Sequence, residues 1–387
     1  MKKIIFVINN LETGGVQISL LNLLNEIKDE YDVSVLSLFC KKEYEALVPS
    51  GVSLLGTRSP FKQFGMFKRD VVGNPVEFAK RTFWYMITKL FGRSAAISLM
   101  CPFQKRISGY DVAISFLHEG DQKSLYGGCN ELVLKKVDAK KKITWLHCDF
   151  ELCGANNKRS YGIYKQFDSI VACSEGTRAT FVKCMPEFAD KTVAIRNCHN
   201  YEKIRSLAGE GVSYGSECFN IVTVARLSAE KGIDRALEAV AYCKSRGERV
   251  KYHIVGDGIE RAYLEKKVSE LSLEDDVVFY GNRSNPYEYM RGSDLLLLTS
   301  YHEAAPMVFD EAACLGVPVL TTRTTSAEEM VGACGNGFVC ENTQEAINQA
   351  LLEILTNKER LVSVRAVLRS SSFDNSEKTR RFKELIC

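Results

Sequence analysis

The chain has 387 residues, 45% apolar and 26% charged, which suits two domains of ordinary size with real cores better than one. A formal charge of +3 is too small to argue for nucleic acid, and without a run of about 20 apolar residues no segment is expected to span a bilayer. The fourteen cysteines are scattered with no CxxC pair, and the opening MKKIIFVINN holds too short an apolar run for a secretory signal, so the thiols are expected to be reduced and the protein cytoplasmic.

In chain order, the first 40 residues read strand, loop, helix, strand. Ile4 to Ile8 is an apolar run, Thr13-Gly14-Gly15 a breaker, Val16 to Ile27 carries apolar residues at helical spacing, and Val33 to Phe39 is the next strand. Such a βαβ unit implies a parallel sheet covered by helices. Further strands are predicted at Val52–Leu55, Val112–Phe116, Ile143–Leu146, Ser169–Cys173 and Thr192–Arg196. Among them sits a helical insertion, Phe61 to Arg106, with nine Lys or Arg against Asp70 and Glu77 and with many interleaved aromatics. Its charge of about +7 leaves about −4 for the rest of the chain, and anionic membrane surfaces attract such segments. An ordinary amphipathic helix with its aromatics turned inward is the other reading.

Asn200 to Glu217 is polar and rich in glycine and is expected to link two domains. The second half then repeats the α/β rhythm. Strands are predicted at Asn220–Val224, Tyr252–Val255, Val277–Tyr280, Leu295–Leu298 and Val317–Leu320. Helices are predicted at Gly232–Ser245, from the Gly256-Asp257-Gly258 turn to about Leu271, at Tyr287–Met290, Pro306–Leu315, Ala346–Leu355 and Asn357–Arg369. The expected fold class is α/β, with two Rossmann-like domains facing each other across a cleft at the carboxyl ends of their strands. The expected divisions are residues 1–200, a linker at 201–217, residues 218–370, and a C-terminal helix at 371–387 packing back on the first domain.

Two segments carry chemistry. In Ser300-Tyr-His-Glu303-Ala-Ala305-Pro306-Met307-Val308-Phe-Asp-Glu311, Pro306 fits the first helical turn, where its missing N–H costs nothing. The N–H groups of Met307, Val308 and Phe309 then present a helix N-terminus suited to a phosphate. Glu303 and Glu311 flank that position, and two acceptor-only carboxylates suit the hydroxyls of a sugar and of a ribose on either side of a diphosphate. In Val224-Ala-Arg226-Leu-Ser-Ala-Glu-Lys231-Gly232, two cations in a loop between strand and helix suit a leaving diphosphate. A capped helix with two surface acids and a solvated loop are the bland alternatives.

Together these segments resemble the large retaining family-4 glycosyltransferases of GT-B fold (glycosyl transferases group 1), among them bacterial capsule and exopolysaccharide enzymes. Gly14-Gly15-Val16, Ala225 to Gly232, Glu303 to Glu311, Pro318-Val319 and the Glu328-Glu329 pair stand where that family has its motifs, densely from about Asn220 to Val331. The resemblance implies that the second domain binds a nucleoside-diphosphate sugar, UDP rather than GDP. Arg226 and Lys231 would hold the diphosphate, Glu303 the transferred sugar, Glu311 the ribose, and Arg283 would lie near the base. Ala305, Pro306, Met307 and Val308 would line the donor site. In the first domain His147 would reach the donor sugar, and Gly14 and Gly15 would let backbone approach it.

Ala225, Ala304 and Ala305 depart from the family pattern, which leaves the sugar open. The reaction implied is transfer of a hexose with retention by front-face attack. The acceptor implied is a saccharide or lipid-linked saccharide in surface polysaccharide synthesis, with the protein in the cytoplasm and, where the basic aromatic insertion docks, peripheral at the inner face of the membrane. No metal or other cofactor is expected, because the cations replace it. No acceptor residue is assigned, although His118 and Glu119 end a first-domain strand. Three other readings compete with this one. An NAD enzyme lacks its GxGxxG after the first strand. A GT-B-type epimerase or phosphorylase would share the phosphate site, and a non-catalytic nucleotide-sugar-binding protein would bind without transfer.

Overall fold

In a computed structural model, every residue but Thr13, Arg58, Ser59 and Ser216 is described. The first residue of the Thr13-Gly14-Gly15 breaker therefore lies outside the described residues. The chain divides into two units, Met1–Cys198 with Asn375–Cys387, and His199–Asp374.

The first unit is built on β1, Lys3–Asn10, which is apolar throughout Ile4–Ile8 because both of its faces are covered. Ile4, Phe6 and Ile8 pack with Leu20, Leu24 and Ile27 of the Gly15–Ile27 helix, and Ile5 and Val7 pack on the other face with Phe64, Ile97 and Leu132. Six strands follow: β2 (Asp32–Phe39), β3 (Ser53–Gly56), β4 (Ile107–Ser115), β5 (Val137–Leu146), β6 (Ser169–Ala172) and β7 (Thr192–Ala194). They form a parallel sheet of order β3-β2-β1-β4-β5-β6-β7, with Ile4 opposite Val33 on one side and Val112 on the other. The C-terminal helix Ser376–Ile386 belongs to this unit and stacks Phe382 on Phe6 at 6.1 Å.

The 61–106 insertion is helical, with helices at Pro75–Phe91 and Arg93–Met100 broken by Gly92 at φ +83°. Its aromatics do not all turn inward. Phe61 and Phe64 are buried, whereas Phe78, Phe83, Tyr85, Phe91 and Phe103 are exposed.

The second unit holds β8 (Phe219–Val224), β9 (Val250–Val255), β10 (Val277–Gly281), β11 (Leu295–Leu298), β12 (Val319–Thr322) and β13 (Gly337–Cys340), all parallel in the order β10-β9-β8-β11-β12-β13. β13 has no counterpart among the predicted strands, being four half-buried residues headed by a glycine. β12 starts two residues later than predicted, because the Val317 N–H is bonded to the Ala312 carbonyl in the preceding turn. Residues 201–217, expected as linker, open with the helix Tyr201–Ala208, which buries Tyr201, Ile204 and Ala208 at helical spacing. In both sheets the strand order reverses beside the first strand of the unit, between β1 and β4 and between β8 and β11. Crevices for ligands form at the carboxyl ends of such strands.

Candidate active site

β8 and β11 are neighbours at the switch point of the second unit, so the loops after them emerge side by side. The loop after β8 carries Arg226, exposed, and Lys231, while the loop after β11 carries Glu303. Lys231 Nζ lies 2.6 Å from Glu303 Oε1, and the Ser300 hydroxyl donates to the same oxygen at 2.7 Å. Two residues far apart in sequence thus meet as a partly buried ion pair.

Backbone contacts fix this geometry. Gly232, at φ +59°, passes so close to β11 that a Cβ there would stand 2.4 Å from the Thr299 carbonyl oxygen, and Thr299 Oγ1 donates to the Gly232 carbonyl at 2.7 Å. Gly256 packs equally tightly against the Arg226 loop, since a Cβ there would lie 1.8 Å from the Ala225 carbonyl oxygen. Glu230 accepts from the Ser228 hydroxyl at 2.6 Å. Burial works against its charge, but that hydroxyl, its own amide, Arg226 and Lys231 outweigh it and hold the carboxyl below its ordinary range.

Pro306 is extended (φ −63°, ψ 124°) and precedes the helix Met307–Cys314, one position earlier than its predicted place in the first turn. No side chain caps this helix, and the Phe309 N–H is drawn back to the Pro306 carbonyl at 3.4 Å, so Met307 and Val308 supply its forward amides. His199 braces the turn from beneath, with Nε2 3.2 Å from the Met307 carbonyl and Nδ1 3.6 Å from Asp310 Oδ2. Ala304 and Ala305 are half-buried in the loop that leads into it.

Glu311 is buried on this helix and accepts from the Tyr287 hydroxyl at 3.4 Å. Burial pushes its carboxyl up from 4.5 to about 7, the Tyr287 hydroxyl draws it down, and Asp310 adds to the rise. The folded value lies above the unfolded one. The stability Glu311 contributes is therefore full below about pH 4.5 and is lost as the pH rises to about 7. We expect the stability difference between wild type and Glu311→Gln to change across that window by up to about 1.4 kcal/mol per pH unit, read by urea denaturation at a series of pH values. A constant difference would show that folding does not raise the Glu311 carboxyl. Arg283, after β10, is exposed and contributes a positive charge beside Tyr280.

In the first unit, His147 follows β5, its ring 4.7 Å from that of Phe116, and its Nε2 is buried with no partner among the described residues. Burial, reinforced by His118, pushes His147 down to about 3, and burial with Arg93 pushes His118 down to about 4, so both are neutral imidazoles near neutral pH. Gly14 is extended (φ −165°), a backbone any residue adopts, so a tight turn is not the reason for glycine there. A Cβ at Gly14 would stand 2.7 Å from Gln17 Oε1. Glu119, a candidate to approach the acceptor, is instead sealed in an ion pair with Arg93 at 2.7 Å, both side chains 1% exposed.

Residues 216–367 match the family model of glycosyl transferases group 1. The second unit is a group 1 glycosyltransferase domain. The chain is 25% identical over 369 residues to an uncharacterized glycosyltransferase of Haemophilus influenzae, covering 93% of this chain and 92% of that one. It is 33% identical over 129 residues to the lipopolysaccharide glucosyltransferase WaaG of Escherichia coli, but there the match spans 33% of this chain and 34% of WaaG. HepE of Anabaena, solved in complex with UDP and glucose, matches with a TM-score of 0.68 at 18% identity over 99% of each chain. The fold is therefore GT-B, with two Rossmann-like units. In the group 1 domain, Arg226, Lys231, Glu303, Pro306 and Glu311 stand on the two loops at the switch point and the helix that follows. Ser300, Tyr287 and His199, which support them, went unassigned in the sequence. Ser300 alone had a signal, as the first polar residue after β11 and Thr299.

Proposed function

We propose that this protein is a retaining glycosyltransferase that moves a hexose-type sugar from a nucleoside-diphosphate sugar to a saccharide or lipid-linked saccharide acceptor in surface polysaccharide synthesis. One observation carries the reading: the Lys231–Glu303 pair, 2.6 Å apart, beside the uncapped start of the Met307–Cys314 helix. This juxtaposition offers cations and amides to a diphosphate and a carboxylate to hydroxyls next to it. Arg226 and Lys231 take the diphosphate with Met307 and Val308. Ala305 and Pro306 shape the donor site, Glu303 binds the sugar, Glu311 the ribose, and Arg283 lies toward the base. His147, neutral and with its Nε2 unpartnered among the described residues, is the first unit's candidate for the sugar, and Gly14 and Gly15 keep the backbone bare.

The acceptor hydroxyl attacks on the leaving-group side, and its proton passes to the departing diphosphate, so no separate base is required. Arg226 and Lys231 take the place of a metal ion. UDP is favoured over GDP as the donor nucleotide, in keeping with the HepE complexes with UDP and UDP-glucose.

The experiment is thermal unfolding with UDP, GDP, ADP, their common sugar conjugates and NAD, each with and without EDTA. A ligand at 100 times its Kd stabilises by roughly 2.7 kcal/mol. The expected result is a shift with UDP or a UDP-sugar, indifferent to EDTA and absent in Arg226→Ala and Glu311→Ala. A shift with NAD alone, or with no nucleotide, would overturn the reading. Binding without transfer to any acceptor would favour a non-catalytic role.

A further inference from the structure

The helix Pro75–Phe91 is apolar on both sides. Its inner side mixes polar and apolar groups: Glu77 accepts from Gln63 Nε2 at 2.9 Å and pairs with Lys62 at 3.1 Å, Arg81 donates to the Gln63 carbonyl at 2.8 Å, Thr88 is fully buried, and Trp84 and Ile87 pack against the core. These residues recur at helical spacing and share one face. The opposite face carries Val76, Ala79, Phe83, Met86 and Leu90, a stripe of alternating three- and four-residue steps. Its large members are between 54% and 71% exposed. Ten of the 21 exposed large apolar side chains among the described residues lie between Val72 and Phe103, so this is a concentrated patch rather than ordinary scatter.

The charges around the stripe say what covers it. Both acids of the insertion are turned away from it. Asp70 is held by Lys41 at 2.8 Å with its side chain 1% exposed, and Glu77 is tied to Lys62 and Lys80. On the outward side Lys80 and Lys89 flank the stripe on its two edges, and Lys68, Lys89 and Lys105 have no carboxylate partner among the described residues. A second copy meeting this face with its own would bring the same positive field to the contact, with no free carboxylate to answer it. An anionic bilayer brings the opposite charge and an apolar interior within reach of the side chains.

We infer that the outward face of the Pro75–Phe91 helix docks on an anionic lipid bilayer, inserting Phe83, Met86 and Leu90 between headgroups while Lys80 and Lys89 meet the lipid phosphates. The helix lies in the interface. No helix among the described residues is long and apolar enough to cross a membrane. The inference goes beyond the glycosyl-transfer reading and does not rest on it, since none of these residues belongs to the candidate active site.

Flotation of the full chain tests it, with vesicles of mixed phosphatidylglycerol and phosphatidylcholine against vesicles of phosphatidylcholine alone. The expected result is flotation with the anionic vesicles only, weakened by high salt. Phe83→Asp with Leu90→Asp should abolish it. Lys80→Glu with Lys89→Glu should lower the affinity for the vesicles by at least tenfold, because each base near the surface is worth roughly fivefold. All four positions are exposed, so these variants should melt with the wild type, which separates lost docking from lost folding. Failure of the wild type to float with anionic vesicles at low salt, or equal flotation of both variants, would overturn the inference. So would a wild-type dimer in sedimentation that Phe83→Asp with Leu90→Asp converts to monomer while neither protein floats.

Discussion

Lys231→Ala should lower kcat for sugar transfer by about 10²–10³-fold, the usual cost of removing one preorganised group that stabilises transition-state charge. The ammonium is held ready by Glu303 at 2.6 Å, and the Gly232 turn fixes the backbone from which it projects. As the sugar–phosphate bond breaks, charge accumulates on the diphosphate, so the loss should fall on kcat more than on the donor KM. Lys231→Arg should retain part of the rate, since it keeps the charge but not the compact ammonium that sits against Glu303. Steady-state kinetics with the donor identified by thermal unfolding reads both terms. A kcat within threefold of wild type would remove Lys231 from the reaction. Unfolding should change less than kcat, because the loss of Lys231 leaves Glu303 with the Ser300 hydroxyl.

Arg93→Ala should cost the first unit about 3–5 kcal/mol, as removal of one partner of a buried ion pair does. The guanidinium serves more than Glu119. Its Nη1 donates to the carbonyls of Asp121, Ser124 and Tyr126 at 3.2, 3.3 and 3.1 Å, so its loss strands one carboxylate and three carbonyls together. Glu131, which accepts from the Ser94 hydroxyl, adds a second buried acid nearby. Burial and Glu131 push the Glu119 carboxyl up to about 7 against the pull of Arg93, so this group is already near the limit of holding its charge. Arg93→Lys should recover only part of the loss, since a single ammonium cannot span the carbonyls and the carboxylate together. Both tryptophans of the chain, Trp84 and Trp145, lie in the first unit, so fluorescence-monitored urea denaturation reports on that unit alone. A loss under about 1 kcal/mol would mean that water or rearranged neighbours satisfy the stranded groups.

Arg93 also shows where sequence reading stops. In the sequence it is one of nine bases in a positively charged insertion, indistinguishable from Lys89 or Arg106. In the fold it is the buried centre of a polar network, because the Arg93–Met100 helix packs against the turn after β4. Glu119 changed role with it, from a residue at a strand end to the partner of that guanidinium.

The sequence by itself determined the α/β architecture and most of the strands. Parallel strands buried on both faces read as unbroken apolar runs, and Ile4–Ile8 and Leu295–Leu298 announce themselves wherever they are placed. It also supplied Arg226, Lys231, Glu303 and Glu311 as candidates, through their place in motifs that resemble those of group 1 glycosyltransferases, since a solvated loop and a capped helix would carry the same residue types. Tertiary structure decided what those residues touch. The meeting of Lys231 with Glu303 depends on β8 lying beside β11, a pairing set by sheet order and not by local pattern. It likewise decided which face of the Pro75–Phe91 helix points outward. Helical spacing sets Phe83, Met86 and Leu90 opposite Glu77, Arg81, Trp84 and Thr88, but only the unit beneath, with Gln63 and Lys62 meeting Glu77 and Arg81 and the core meeting Trp84, makes the second face the inner one.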